Sequence, residues 1–163
     1  MGAAQSADAR DVFHATYPDV PQDAEALLVT PKGDMYIVTK GETGPSAVYR
    51  FPSEIMNGAT VELERMGTPR ETAKANADDR ITDGAVSPNG AWVALRTNND
   101  VLFYQSAELL AGNWREAGRV NLAALREPQG EAISFADDRT LFLVGEGGGK
   151  SQPGTFARLM CTF

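Results

Sequence analysis

Residues 80–97, RITDGAVSPNGAWVALRT, decide the fold of this chain because they have the pattern of two strands joined by a tight turn. The turn is Ser87–Gly90 (SPNG), in which proline presets φ and the Asn-Gly pair tolerates the positive φ values that tight turns require. Apolar residues stand on both sides, with AV before the turn and WVAL after it. The stretch therefore predicts a β-hairpin with strands over 82–87 and 91–97.

Two more hairpins of this kind occur at intervals of about 50 residues, which is typical of a repeat protein. The first copy has the turn PKGD and the third has the turn DDR, each between two apolar segments. Further short apolar segments follow each hairpin. The predicted strands are 25–30, 35–40, 46–51 and 60–66 in the first copy, 101–105 and 116–122 after the second hairpin, and 131–136, 140–146 and 155–162 in the third, with a helical turn at 107–111.

Four antiparallel strands per repeat that meander outward are typical of a β-propeller blade, so the predicted fold class is all-β with three blades. The third repeat lacks a fourth strand, whereas DVFHATY, residues 11–17, forms an additional strand before the first repeat. Residues 1–10 are small and polar and are expected to be a disordered lead-in to one unit over 11–163. The blade repeats are expected near 22–66, 80–122 and 129–163.

Three blades are fewer than the roughly four to eight of ordinary propellers, and an open arc would expose two broad blade faces. The sequence therefore predicts a two-fold homodimer in which two chains close a six-bladed ring. In that ring, N-terminal strand exchange places strand 11–17 of each chain in the last blade of its partner. The alternative is that the chain is half of a longer protein, which would associate for the same reasons.

The charge balance argues against nucleic-acid and membrane partners. The chain has 22 acidic and 15 basic residues and a net charge of −7, which would be repelled by a phosphate backbone or an anionic lipid surface. No apolar run reaches the roughly 18 residues of a membrane span, and the N-terminus has no apolar segment of signal-peptide type. With Cys161 as the single cysteine, an intrachain disulfide is excluded.

Alignment of the three copies on their turns predicts a polar site at one mouth of the propeller channel. The first strand of each copy begins near a polar residue, and the second strand ends near one. Because the start of one strand lies beside the end of the next in an antiparallel hairpin, these residues should be neighbours. The expected pairs are Glu25 with Lys40, Thr82 with Arg96 and Thr97, and Glu131 with Glu146; Gly130 and Gly145 would allow close backbone approach.

Two interpretations of this mouth stay open. Its carboxylates provide the oxygen ligands that Ca²⁺ and Mg²⁺ prefer, so the mouth is one candidate for a hard-cation or small-ligand site. In the other interpretation, Lys40 and Arg96 neutralise the carboxylates in a salt-bridge network that joins the blades. The candidate ligand-binding residues are Glu25, Lys40, Thr82, Arg96, Glu131 and Glu146, and the candidate metal ligands are Glu25, Glu131 and Glu146, with Asp23 and Asp83 as weaker additions.

Three phrases resemble about half of a six-bladed propeller of secreted and periplasmic bacterial proteins. They are YPDVPQDAEALLVTPKGDMYIVTKG (17–41), ITDGAVSPNGAWVALRT (81–97) and EPQGEAISFADDRTLFLVGEG (127–147). The related proteins include phytase-esterase-like and TolB-like propellers and, more distantly, the gluconolactonase-like group. The resemblance implies a periplasmic or secreted location. Some of these relatives are calcium-dependent hydrolases that use channel-mouth carboxylates, and others are binding scaffolds.

The sequence therefore predicts a β-propeller binding or scaffold module that presents an acidic channel mouth to a small ligand, an ion or a protein. The alternative is a Ca²⁺-dependent hydrolase of phosphate esters, esters or lactones that uses the mouth carboxylates. Such an enzyme needs a metal and an activated water, and the chain offers carboxylates without an obvious dedicated base. No catalytic residue is assigned, and calcium and magnesium are the candidate cofactors.

Overall fold

The computed structural model describes residues 10–67, 77–111, 113 and 115–163, apart from the side chains at 110 and 150. Three antiparallel sheets follow one another along the chain, and a small parallel strand pair accompanies the first. The one α-helix in these ranges, α1 (Ser106–Leu110), is a single short turn. None of the described helices has the length and apolarity that a membrane crossing requires.

Each sheet corresponds to one predicted blade. Blade 1 consists of β2 (Ala24–Val29), β3 (Met35–Thr39), β4 (Val48–Arg50) and β6 (Glu64–Gly67), and the accompanying pair is β1 (His14–Thr16) with β5 (Thr60–Glu62). Blade 2 consists of β7 (Ile81–Val86), β8 (Trp92–Thr97), β9 (Asp100–Gln105) and β10 (Gly118–Asn121). Blade 3 consists of β11 (Gln129–Phe135), β12 (Thr140–Glu146) and β13 (Thr155–Met160). Short 3₁₀ turns lie at Ala77–Asp79, Ala123–Leu125 and Gly149–Ser151.

The strand order within each blade confirms the predicted antiparallel meander. Each strand pairs with the next along the chain, with the break in blade 1 described below as the exception. The three hairpins lie within two residues of their predicted positions, and the helical turn predicted at 107–111 is confirmed as α1. The first strands lie beside one another, because β2 contacts β7 and β7 contacts β11. The all-β, propeller-like architecture is therefore confirmed.

The segment predicted as one strand over 60–66 is divided in two. β5 pairs with β1, whereas β6 pairs with β4, and Leu63 lies between them. The Leu63 side chain is buried, and its amide donates a hydrogen bond to the carbonyl of Thr16 at 2.9 Å. The strand is interrupted because its two halves bond to different neighbours.

The N-terminal strand pairs within its own chain, and its predicted exchange with a partner chain stays a prediction. β1 runs parallel to β5 of its own chain, with His14 opposite Thr60. Tyr17, which follows β1, packs edge-on against the buried ring of Tyr49 at a centroid distance of 4.8 Å and anchors the segment to blade 1. Within the described residues, β13 pairs only with β12, so its outer edge carries no strand.

Blade-to-blade packing forms the core. We call the side that a blade turns toward the following blade its leading face, and the opposite side its trailing face. The alternation of side chains along each strand separates the two faces. In the first interface, Ala26, Leu28, Tyr36, Val38 and Val48 on the leading face of blade 1 pack on Ile81, Val93, Leu95, Leu102 and Tyr104 on the trailing face of blade 2. In the second, Ala94, Val101 and Phe103 on the leading face of blade 2 pack on Ile133, Leu141 and Leu143 on the trailing face of blade 3.

Gly84 tests this packing because it lies in the contact between blades 1 and 2. A Cβ atom at Gly84 would stand 2.7 Å from Leu95 Cδ2 and 3.0 Å from Leu28 Cδ2. We expect Gly84→Ala to lower the free energy of unfolding by about 1–3 kcal/mol, because the added methyl group overpacks the interface. Chemical denaturation measures the change, with Gly118→Ala as the control, since a Cβ atom at Gly118 meets nothing within 4 Å. Equal effects of the two substitutions would contradict this packing.

Candidate functional site

A β-bulge interrupts the first strand of every blade at the same place. In blade 1 the pairing passes from Ala24 to Ala26, so that Glu25 is the additional residue. Thr82 is the additional residue of blade 2 and Glu131 that of blade 3. The three residues aligned from the sequence are therefore structurally equivalent. Bulges reorient side chains and are frequent beside functional sites.

The equivalent position on the second strand differs from the prediction in blade 2. In each blade, the residue before the bulge pairs with a residue of the second strand, and the equivalent position is the next residue along that second strand. This position is Lys40 in blade 1 and Glu146 in blade 3. In blade 2 it is Asn98, not Thr97. The cause is the hairpin loop. In blade 1, residues 30–34 lie between the two members of the last β2–β3 pair, whereas in blade 2 residues 87–92 lie between the two members of the last β7–β8 pair. The loop of blade 2 is therefore one residue longer. We call the bulges and these strand ends together the channel mouth.

At blade 1 the channel mouth holds a neutralised ion pair. Lys40 Nζ lies 2.5 Å from Glu25 Oε1 and 3.8 Å from Asp23 Oδ2, as the predicted contact between Glu25 and Lys40 requires. The hydrogen bond to Glu25 raises the pKa of Lys40, against a smaller opposing effect of burial. Both side chains are partly exposed, so this pair contributes little to stability.

Arg96 is wholly buried and reaches from blade 2 into blade 3. Its Nη1 donates to the carbonyl oxygens of Ala132 at 2.6 Å and Val144 at 2.8 Å, and its Nη2 donates to the carboxylate of Glu127. Thr82, its predicted neighbour, is not the register partner of Arg96, because the bulge brings Asp83 opposite it. Arg96 therefore joins two blades instead of facing the channel.

Two glycines of blade 3 make room for this buried ion pair. A Cβ atom at Gly130 would stand 2.8 Å from Arg96 Nη2, and one at Gly145 would stand 2.7 Å from Glu127 Oε1. The predicted role of these glycines, close approach, is confirmed, but the groups that approach are Arg96 and Glu127. Sequence reasoning did not select Glu127, which lies before a proline in the segment that joins blades 2 and 3.

Asp83 makes the second polar connection between blades 2 and 3. Its Oδ2 accepts a hydrogen bond from the amide of Ile133 at 2.8 Å, and its Oδ1 accepts one from the amide of Gly84 at 2.7 Å. Burial raises the pKa of Asp83, and these two amides and the Arg96 guanidinium oppose the increase. The carboxylate thus holds together the first strands of the two blades.

At blade 3 the two glutamates are not paired with each other in the strand register. Glu146 is opposite Gln129, and the Gln129 side chain donates to the Glu131 carboxylate. Neither glutamate forms an ion pair with another described side chain. Across the described ranges, no three or more His, Cys, Asp or Glu side chains form a group that could hold a metal, so Glu25, Glu131 and Glu146 are not brought together as one.

The boundary of blades 1 and 2 carries polar atoms with unused hydrogen-bonding capacity. Thr82 Oγ1, Asn98 Oδ1 and Arg80 Nε are buried, and within the described part of the chain none of them has a hydrogen-bond partner. Arg80 forms an ion pair with Glu42 at 3.0 Å, and the amide of Ile81 donates to the Lys40 carbonyl at 3.1 Å. The channel mouth therefore combines neutralised ion pairs, carboxylates without a described basic partner, and buried donors and acceptors without a described hydrogen bond.

Comparison with known proteins shows the fold. No protein-family model matches the chain, and no curated protein is similar to it in sequence. Among solved structures, it is similar to the PQQ-bound aldose sugar dehydrogenase of Streptomyces coelicolor and to the hydrazine synthase of Kuenenia stuttgartiensis, each at a TM-score of 0.52 and 13% identity. The matches cover 84% and 85% of this chain but only 42% and 37% of those chains. A chain in a crystal structure of the mitotic checkpoint complex has a TM-score of 0.49 and 10% identity, with 90% of this chain and 40% of that chain covered. The first two likenesses support a propeller-like fold.

The Arg96–Glu127 ion pair gives a prediction about stability. We expect Arg96→Met to lower the free energy of unfolding by about 3–5 kcal/mol, because Glu127 would remain buried without its cation. The double variant Arg96→Met/Glu127→Gln should recover part of this loss. Chemical denaturation of the wild type, the two single variants and the double variant measures the recovery. Lys40→Met is the control, because the partly exposed ion pair that it removes should account for less than about 1 kcal/mol. An Arg96→Met effect as small as that of Lys40→Met would contradict the buried connection.

The pKa of Asp83 gives a prediction about pH. Because the pKa in the folded state is raised above its ordinary 3.8, the contribution of Asp83 to stability is fully present below that value and is lost as pH rises through the folded-state pKa. Asp83→Asn removes this titration. The free energy of unfolding of the variant, relative to the wild type, should therefore increase with pH above 3.8 and then level off. Urea denaturation at a series of pH values measures the difference, and a constant or decreasing difference would refute the assignment.

Proposed function

We propose that this chain is a β-propeller binding or scaffold module whose channel mouth takes a small ligand, an ion or a protein, and that two copies build a six-bladed ring around that channel. The observation that carries the proposal is the bulge repeated at Glu25, Thr82 and Glu131. Residues beside the bulges of neighbouring blades are in contact, since Gly84 lies against Ala26 and the amide of Ile133 donates to Asp83, so the three bulges lie at the same end. A repeated local irregularity at one rim is typical of a surface that presents side chains.

The charge of the mouth supports a cationic ligand or one rich in hydrogen-bond donors. At blade 1 and its boundary with blade 2, two basic side chains have acidic partners, since Lys40 binds Glu25 and Arg80 binds Glu42. Glu131 and Glu146 have no such cation among the described side chains, so blade 3 contributes unneutralised carboxylates to the rim. A ligand that supplies positive charge complements the remaining field.

Of the two interpretations of the mouth, the contacts at blades 1 and 2 favour the salt-bridge network. We propose a ligand site in addition, at the carboxylates of blade 3. The proposed metal-dependent hydrolase would need its carboxylates close together, and the described parts of the chain contain no such group. No described contact favours that activity, so the binding module is the function proposed.

Thermal melting with cationic probes tests the mouth. We expect CaCl₂, MgCl₂ or spermidine at low ionic strength to raise the Tm of the wild type, because a ligand that binds only the folded state stabilises it. Glu131→Gln/Glu146→Gln should abolish the shift. The matched control Glu54→Gln/Glu62→Gln removes the same charge from two exposed residues outside the first strands and should preserve it.

Two outcomes would refute the proposed site. One is that none of the three probes changes the Tm of the wild type. The other is that both double variants respond to the probes as the wild type does, which would identify screening of the net charge of −7 as the cause of the shift.

A further inference from the structure

Blade 3 exposes side chains at positions that the other blades bury. Val48, Val101 and Phe156 occupy one equivalent position on the third strand, opposite Val38, Arg96 and Val144 respectively. Val48 is 1% exposed and Val101 is 0% exposed, because the following blade covers them, whereas Phe156 is 70% exposed. The leading face of blade 3 thus has the apolar character of a covered face without a blade on it. Its exposed apolar residues are Val144, Phe156 and Met160.

Blade 1 shows the complementary exposure on its trailing face. Leu27 lies two residues beyond the bulge, as do Gly84 in blade 2 and Ile133 in blade 3. Leu27 is 58% exposed, whereas Ile133 is 4% exposed and Gly84 is buried by blade 1. Val29, next along this face, is also exposed. The leading face of blade 3 is therefore uncovered at one side, and at the other side the trailing face of blade 1 is uncovered at its first strand, whereas Tyr17 and Leu63 cover its third strand at Tyr49.

We propose that a second copy of this chain covers both faces, with blade 3 of each copy packed on blade 1 of the other. Both interfaces within the chain join a leading face to a trailing face, and a two-fold pair of copies reproduces this contact twice. A single unrelated partner would have to match two different surfaces at once, whereas a second copy carries both. This inference rests on the propeller of the proposed function and names the partner that completes its mouth.

The area of the contact fits a closed pair. A sheet of three strands about 4.8 Å apart, each with about six residues at about 3.3 Å, presents roughly 300 Å² on one face. Because Tyr17 and Leu63 already cover Tyr49 on blade 1, the four faces of two such contacts cover at most roughly 1,200 Å² in total, the lower limit of stable interfaces, and one contact alone covers at most half of that. Closure through both contacts is therefore needed for stable association.

The mouth is incomplete without the second copy. Within the chain, mouth groups of adjacent blades contact one another, as the hydrogen bond from the Ile81 amide to the Lys40 carbonyl shows. Glu146 of blade 3 is equivalent to Lys40 of blade 1. In the proposed ring, blade 1 of the other copy follows blade 3. Glu146 of one copy then lies beside the Glu25–Lys40 pair of the other, and the two arcs enclose one acidic opening.

Face packing, in contrast to strand exchange, leaves the N-terminal strand where the structure has it. β1 bonds to β5 of its own chain, and Tyr17 packs on Tyr49. These contacts lie on the outer part of the trailing side of blade 1, whereas Leu27 and Val29 belong to its first strand. The two models therefore predict different effects of the same deletion.

Light scattering coupled to gel filtration tests the proposal on the full chain. We expect the wild type to have the mass of two chains, and Phe156→Glu and Leu27→Lys each to have the mass of one. Equimolar mixing of these two variants should restore the two-chain mass, because one contact in the mixed pair is then wild type and the other carries opposite charges on its two faces. Met56→Glu, which places the same charge at an 81% exposed residue on a loop of blade 1, should behave as the wild type.

Several results would overturn the proposal. They are a monomeric wild type at all concentrations, a mass above two chains, and a dimer that survives both face substitutions. A dimer lost on deletion of residues 1–17 but kept in both face variants would establish strand exchange instead. Circular dichroism checks that each variant folds. If a variant does not fold, amide hydrogen exchange of the wild type tests the contact in its place. The protection of β13 should rise with protein concentration, and protection that stays constant would refute the contact.

This test is independent of the ligand. Mass and exchange are measured without cationic probes, so loss of the dimer leaves the Tm response of the mouth to be judged separately. Conversely, a dimer that does not respond to the probes would retain the ring and refute only the proposed binding.

Discussion

The buried guanidinium of Arg96 is the interaction on which the arrangement of blades 2 and 3 depends. It occupies a leading-face position where the other blades have Val38 and Val144. A charge in such a place is costly unless it is paired and hydrogen-bonded, and here two carbonyl oxygens of blade 3 and one oxygen of the Glu127 carboxylate accept bonds from its Nη atoms. Arg96 Nε and Glu127 Oε1 are buried without a hydrogen-bond partner among the described residues. Because these bonds are directional, they define how blade 3 sits on blade 2, which apolar contacts alone would leave less specific.

The character of the mouth changes from blade to blade although its backbone repeats. The bulge places a polar residue at the same point three times, but each residue finds different surroundings. Glu25 is neutralised within its blade, Thr82 keeps a buried hydroxyl without a described partner, and Glu131 accepts a hydrogen bond from a neutral amide. One repeated framework therefore yields a rim whose acidic side is at blade 3, next to the face that we propose the second copy covers.

The same comparison explains why burial cannot be assigned from residue type in a repeat protein. Val101 and Phe156 are both apolar and share a register position, yet one is fully buried and the other is mostly exposed. The difference lies in whether another blade follows. Apolar surface of this kind tends to be removed from water by association, and the two uncovered faces have the complementary form that blade packing uses within the chain.

The sequence by itself determined the three hairpins, the all-β class and the equivalence of Glu25, Thr82 and Glu131, because turn residues and the alternation of apolar side chains act over a few neighbouring residues. Only the tertiary structure decided the contacts that depend on distant segments. One additional loop residue shifted the register of blade 2 and brought Asn98 to the expected place of Thr97. The choice of Glu127 as the partner of Arg96 required the linker between the blades to fold back onto the interface. Such contacts follow from the way whole blades pack, and no local pattern in the chain encodes them.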